Sequence, residues 1–120
     1  MGIKIKRVYE VPVASDGYRI LVDRIWPRGI SKQDAKVSLW LKTVAPSTEL
    51  RKWFNHRPDR WQEFQRRYLR ELIGKDEELE VIRGKLKTTR TVTLLYSARD
   101  TEHNQAVVLL EYLKRIYDMT

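Results

Sequence analysis

Two apolar runs far apart in the chain both stop in a burst of charge, and this constrains the fold more than any other feature. The first reads Ile20-Leu21-Val22-Asp23-Arg24-Ile25-Trp26-Pro27-Arg28-Gly29. The second reads Val92-Thr93-Leu94-Leu95-Tyr96-Ser97-Ala98-Arg99-Asp100-Thr101-Glu102-His103-Asn104. Short continuous apolar runs of this kind read as strands buried on both faces, the habit of parallel sheets. Polar groups just beyond the carboxyl ends of parallel strands stand where open α/β sheets bind ligands. The pattern locates a site and leaves its chemistry open.

The remaining segments supply the layers around such a sheet. Residues 3–10 alternate imperfectly and carry Lys4, Lys6 and Arg7, which predicts a strand near an edge. Residues 14–17 form a turn by composition, and residues 18–25 a second strand that Pro27 and Gly29 end. Val37, Trp40, Leu41 and Val44 are spaced as one face of a short helix within residues 31–44, broken by Pro46. Ser47 is a good N-cap for a helix on Leu50, Trp53 and Phe54 that ends near His56. Pro58 suits the first turn of the next, whose stripe is Trp61, Phe64, Tyr68 and Leu72 and whose stop is Gly74. Asp76 caps a third, running to about Leu86 on Leu79 and Ile82. Residues 92–96 are the best central strand. Residues 102–117 form a last helix with Ala106, Leu109, Leu110, Leu113 and either Ile116 or Tyr117 inward. Few strands and abundant helix, with a helix directly after a buried strand, predict a small α/β fold. Its sheet is few-stranded, at least partly parallel and flanked by helices, and residues 1–120 form a single domain.

Composition narrows the function classes. A chain of 120 residues buries about two thirds of its unfolded surface in one core. Cysteine is absent, which removes a thiol nucleophile, a disulfide framework and cysteine-ligated zinc. The first residues lack an apolar leader, and no run approaches the ~18 apolar residues of a membrane span, so a cytoplasmic protein is expected with no membrane partner. Net charge is +8, unevenly spread. Residues 50–70 carry Arg51, Lys52, Arg57, Arg60, Arg66, Arg67 and Arg70 against Asp59 and Glu63, whereas residues 71–80 are acidic. Polyanions are attracted to such a protein at low ionic strength whatever its purpose. A nucleic-acid-associated module using the basic helices of residues 50–70 is therefore the alternative to a ligand site. Trp53, Trp61, Phe64 and Tyr68 lie on the apolar stripes of those helices and read as core rather than as base-stacking platforms.

Within the strand ends, Asp100 or Thr101 is placed to cap the last helix, putting His103 and Asn104 in its first turn, where free N–H groups favour an anion. His103 and Asn104 then donate to a bound group, with His103 able to shuttle a proton; the structural alternative has His103 bonding a strand-end carbonyl or Asp23. Asp23 and Arg24 inside an apolar strand require neutralisation, and Arg28 or Arg99 is the expected partner of Asp23. Arg28, in a loop with Gly29, forms a cationic rim with Arg99 and Lys32. Guanidinium groups suit phosphate or carboxylate. Trp26 walls the site. If the two strands lie parallel and adjacent, Asp23, Arg99 and His103 meet in one cavity. The expected site thus has His103 and Asp23 as candidate catalytic groups and Arg24, Trp26, Arg28, Tyr96, Arg99 and Asn104 as ligand-binding groups. It takes a small anionic ligand and no cofactor. Two histidines 47 positions apart give no metal-ligand spacing, and no phosphate loop, nucleophile elbow or dinucleotide fingerprint occurs. Binding and turnover are not distinguished, nor is the oligomeric state.

These segments, joined to Ala45-Pro46-Ser47-Thr48-Glu49-Leu50-Arg51-Lys52-Trp53-Phe54-Asn55-His56 and to Pro58-Asp59-Arg60-Trp61-Gln62-Glu63-Phe64, resemble the YeaO-like branch of the domain-of-unknown-function 488 family. The resemblance spans roughly residues 8–113. It implies the fold class rather than an activity, since the family carries none that is established. The family's wording places an acidic residue between this histidine and proline, where this chain has Arg57, so His56 lacks that orienting partner. His56 is expected to bond backbone at the corner between two helices.

Overall fold

The computed structural model describes residues 2–117. Four strands, β1 (Gly2–Arg7), β2 (Tyr18–Leu21), β3 (Leu39–Trp40) and β4 (Thr91–Tyr96), form one parallel sheet in the order β1-β4-β2-β3. Five helices accompany it: α1 (Lys32–Ala35), α2 (Thr48–Phe54), α3 (Trp61–Ile73), α4 (Asp76–Thr88) and α5 (Gln105–Ile116). The expected α/β class, the parallel pairing of the two apolar runs, the central place of β4 and the edge place of β1 are all found.

Register sorts the side chains onto two unlike faces. Ile3 and Ile5 of β1, Val92 and Leu94 of β4, and Ile20 of β2 share one face and pack against Leu50, Phe64, Tyr68, Leu72, Leu79, Ile82, Leu109 and Leu113 of α2 to α5. Lys4, Lys6, Thr93, Leu95, Arg19 and Leu21 point the other way. There the cover is thin: Val8, Ala35, Trp26, Ile30, Val37 and Trp40 close over Leu21 and Leu95. Gly17 leads into β2 at φ +65°, and a Cβ there would lie 2.2 Å from the Thr91 carbonyl oxygen, so only glycine fits.

Several boundaries depart from expectation. Residues 31–44 are not one helix. Helix α1 stops at Lys36, which is left-handed at φ 48°, and Leu39 and Trp40 then pair with Ile20 and Leu21 as β3. Pairing supplies β2 with a neighbour on its open side, a tertiary gain that a helical spacing over so short a run does not outweigh. Strand β2 ends at Leu21 rather than near residue 25; Val22 donates one more bond to the Leu95 carbonyl before the chain turns away. Strand β1 ends at Arg7, whose N–H bonds the Glu10 carboxylate in a tight turn. Helix α4 follows Lys75, with Asp76, Glu77 and Glu78 in its first turn favoured by the helix dipole. Ser47 caps α2 and Gly74 ends α3 as expected.

Candidate functional site at the strand ends

Beyond the carboxyl ends of β2 and β4 lies a cavity of about 400 Å³. Its lining comes from the segment after β2 (Asp23, Arg24, Ile25), from Ala45 and Pro46, from α2 and its exit (Arg51, Lys52, Phe54, Asn55, His56), from Phe64 of α3, and from Ala98 and the start of α5 (His103, Asn104, Gln105). Asp23, Asn104, Phe54, Phe64, Ala45 and Pro46 are buried and form the floor; Ile25, Arg51, Lys52, Asn55 and His56 are exposed and form the rim.

One wall is held tightly. The Arg24 guanidinium donates to the carbonyls of Pro46 (2.9 Å) and Ala45 (3.1 Å), and Lys75 donates to Ala45 as well (2.8 Å). The buried Tyr68 hydroxyl donates to Val44 (2.7 Å), while Ser47 gives both its N–H and its hydroxyl to the Glu71 carboxylate (2.7 and 2.6 Å). Four side chains, two of them from α3, thus fix four residues of a connecting segment, which accounts for a rigid wall.

Asp23 and Arg24 do not neutralise each other, and neither lies within a strand. Among the described residues Asp23 meets no arginine, contrary to expectation. Its carboxylate accepts the Ser97 N–H (3.0 Å) and the Gln105 side-chain amide, with further help from the Ser97 hydroxyl. The chain turns at Asp23, so that its side chain reaches the start of α5 across the strand end. Burial pushes the Asp23 carboxyl above its ordinary pKa, and the bonds from Ser97 and Gln105 and the charge of His56 only partly offset this.

The start of α5 is closed by its own side chains. Asp100 accepts the N–H groups of Glu102 (2.9 Å) and His103 (3.0 Å) and bonds His103 Nδ1 (2.8 Å), while Asn104, not Asp100 or Thr101, is the N-cap, accepting from Val107 N–H (3.1 Å). Hydrogen bonding from the Glu102 N–H and the His103 ring holds the Asp100 carboxyl below its usual range. His103 therefore precedes the helix instead of entering its first turn. Its ring is fixed by Asp100 and by an edge-on contact with Trp61 (5.2 Å), so it bonds neither a strand-end carbonyl nor Asp23. Local Asx geometry outcompetes the anion-binding arrangement here.

Of the residues expected at the site, Asp23, Arg24, His103 and Asn104 line the cavity; Trp26, Arg28, Tyr96 and Arg99 do not. Trp26 is on the opposite face, edge-on to Trp40 with its Nε1–H on the Ile30 carbonyl. Arg28 and Arg99 are exposed loop residues, and Tyr96 is buried behind Asn104. Asp23 and His103 thus meet as expected, without Arg99. His56 does not bond backbone as expected: among the described residues its ring has no hydrogen-bond partner, and Arg57 pairs with Asp59 instead. Asn55 and His56 are consecutive left-handed residues, φ 47° and 56°, which turns both toward the cavity rim. Arg51, Lys52, Asn55 and Gln105 were missed. An asparagine at a helix end signals the left-handed cap that Asn55 adopts; nothing local signals Gln105, whose partner is 82 residues away. Among the described residues no group of three or more His, Asp or Glu side chains is placed to hold a metal ion, and no helix is long and apolar enough to cross a membrane.

The fold and cavity define a small parallel α/β protein whose distinctive surface is its strand-end cleft. Comparison with known proteins gives the family. The profile described as the inactive DUF488-N3 subclade matches residues 2–120. The uncharacterized protein YeaO of Escherichia coli (strain K12) is 45% identical over 116 residues, covering 97% of this chain and 100% of that protein. The uncharacterized proteins Rv3073c of Mycobacterium tuberculosis and Mb3100c of Mycobacterium bovis are each 43% identical over 111 residues, covering 92% of both chains. The chain belongs to the DUF488 family as a YeaO-like member. No solved structure matches it.

Proposed function

We propose that the strand-end cavity binds a small anionic molecule bearing a phosphate or a carboxylate. One observation carries this reading: Arg51 and Lys52 stand exposed at the rim and, among the described residues, form no ion pair. Cations left unpaired at the mouth of a cleft focus field on an incoming anion. The cavity falls within the ~300–1,000 Å³ typical of small-molecule sites. The charge-binding role falls to Arg51 and Lys52 in place of Arg28 and Arg99, while Asn104 and His103, both fixed by Asp100, shape the inner wall. The inactive description of the matching subclade favours binding over turnover. The nucleic-acid reading draws less support, since Arg57, Arg66 and Arg67 are engaged with Asp59 and Glu63, and Arg60 and Arg67 cover the Trp53 ring.

A melting experiment with inorganic phosphate and pyrophosphate tests the reading, because a ligand of the folded state raises the midpoint by mass action. The shift is expected in wild type, in Arg28→Ala and in Arg99→Ala, and is expected to vanish in the Arg51→Glu/Lys52→Glu double variant. Equal shifts in all four proteins would place the anion elsewhere.

A further inference from the structure

The two ends of the cavity carry opposite chemistry. Its rim is cationic, with Arg51 and Lys52; its floor holds the one acidic side chain of the lining, Asp23, which is 8% exposed. A bare anion is drawn to the rim and repelled from the floor. A carboxylate has about four acceptor positions, and Asp23 uses at most three of them, on the Ser97 N–H, the Ser97 hydroxyl and the Gln105 amide. Among the described residues no cation forms an ion pair with it. The unused position belongs to a buried group that faces the cavity, where an added hydrogen-bond donor, and above all an ammonium, supplies the missing partner. Around Asp23 the floor carries an apolar surface: Phe54 and Phe64, stacked at 4.3 Å, with Ala45 and Pro46, and the half-buried Ala98 beside them. Hydrogen bonds to the backbone hold the Ala45–Pro46 wall in place, so this slot exists before any ligand arrives.

We infer that the ligand of this cavity is two-ended, a flat apolar body with an amino group that reaches Asp23 at the floor and a carboxylate or phosphate that remains among Arg51 and Lys52 at the rim. The inference rests on the anion-binding reading above and specifies the other end of the same molecule. It also gives the floor a reason to keep a buried acid without a cation: the partner comes with the ligand.

The test compares two near-isosteric acids on the wild-type protein, 4-(aminomethyl)benzoate and 4-ethylbenzoate, by titration calorimetry or by shifts of the histidine and tryptophan NMR signals. The amine-bearing acid is expected to bind about tenfold tighter, the equivalent of one charge-assisted hydrogen bond. Asp23→Asn should bring the two acids level, and Arg51→Glu/Lys52→Glu should weaken both. Equal affinities in wild type, with the dependence on Arg51 and Lys52 intact, would overturn the two-ended ligand and leave the anion site standing. A phosphate-induced melting shift with neither acid bound would have the same meaning. Binding of neither acid and no response to phosphate would overturn the anion site and the inference together. Because the acid pair is compared on wild type, the result does not depend on any variant folding.

Discussion

Two aspartates are buried on opposite sides of this sheet, and the protein treats them in opposite ways. Asp16, fully buried beneath the thin face, is surrounded by Arg19 (2.6 Å), Lys6 (2.9 Å) and Lys4 (3.1 Å) and also accepts the Val13 N–H (3.1 Å). Arg19 in turn donates to the carbonyls of Ala35 (2.8 Å) and Lys36 (3.1 Å), so the ion-pair group ties the turn before β2 to α1 and to β1. Asp23, at the strand end on the helical side, has hydrogen bonds and, among the described residues, no ion pair. Burial pushes the Asp16 carboxyl up, but its bonds with Lys6, Val13 and Lys4 outweigh that and hold it well below the usual carboxylate range. Burial wins at Asp23, whose carboxyl is raised. A buried acid surrounded by cations holds a fold together; one without a cation, facing a cavity, has capacity left for something else.

The sharpest test of this contrast is Asp16→Asn. It leaves the buried Arg19 and the partly buried Lys6 beside a neutral group, and breaking a buried pair in this way costs about 3–5 kcal/mol. Urea unfolding should show that loss; a loss under 1 kcal/mol would mean the cations relax to solvent and the group is not structural.

Acid unfolding should separate the two residues by sign. Asp16 has a folded pKa below its unfolded value near 3.9, so its stabilisation is present above about pH 4 and is lost as pH falls further. Asp23 has a folded pKa above that value; its ionised form costs stability at neutral pH, and the cost is relieved as pH falls through the raised pKa toward about 4. Urea midpoints measured against pH should therefore fall less steeply below pH 4 in Asp16→Asn, and should lose their rise on mild acidification in Asp23→Asn. The same pH profile in both variants would erase the distinction.

Smaller effects sharpen the cavity side. Tyr68→Phe removes the bond to the Val44 carbonyl that helps fix the wall and should cost about 1 kcal/mol in the same unfolding assay. The smallest effect belongs to Asp23→Asn at neutral pH, where relief of an unpaired buried charge offsets the weaker bonds to Ser97 and Gln105. Its midpoint should stay within about 1 kcal/mol of wild type while the affinity for the amine-bearing acid falls. A loss as large as that of Asp16→Asn would make Asp23 a structural residue like its counterpart.

Much of the frame was legible in the chain because it depends on neighbours in sequence. An apolar run such as residues 92–96 is a buried strand wherever it lies, Phe64, Tyr68 and Leu72 fall on one side of any helix that contains them, and Ser47 and Gly74 mark ends through backbone chemistry of their own. The strand-end position followed from the same logic, and with it Asp23, Arg24, His103 and Asn104. What the tertiary structure alone decided are the choices between partners. Leu39 and Trp40 became a strand because β2 offered an open side; Arg28 and Arg99 are exposed in loops that do not line the cavity, while Arg51 and Lys52 reach the rim because Leu50 and Phe54 pack α2 into the core beside the strand ends and the left-handed exit turns Asn55 and His56 toward the same rim. The two aspartates show the reason most plainly. Each is a single acid beside an apolar run, and only the packing of segments 74 to 82 residues away, which brings Ser97 and Gln105 to Asp23, or of β1 across the turn, which brings Lys4 and Lys6 to Asp16, determines whether the buried charge is neutralised within the fold or left facing a cavity.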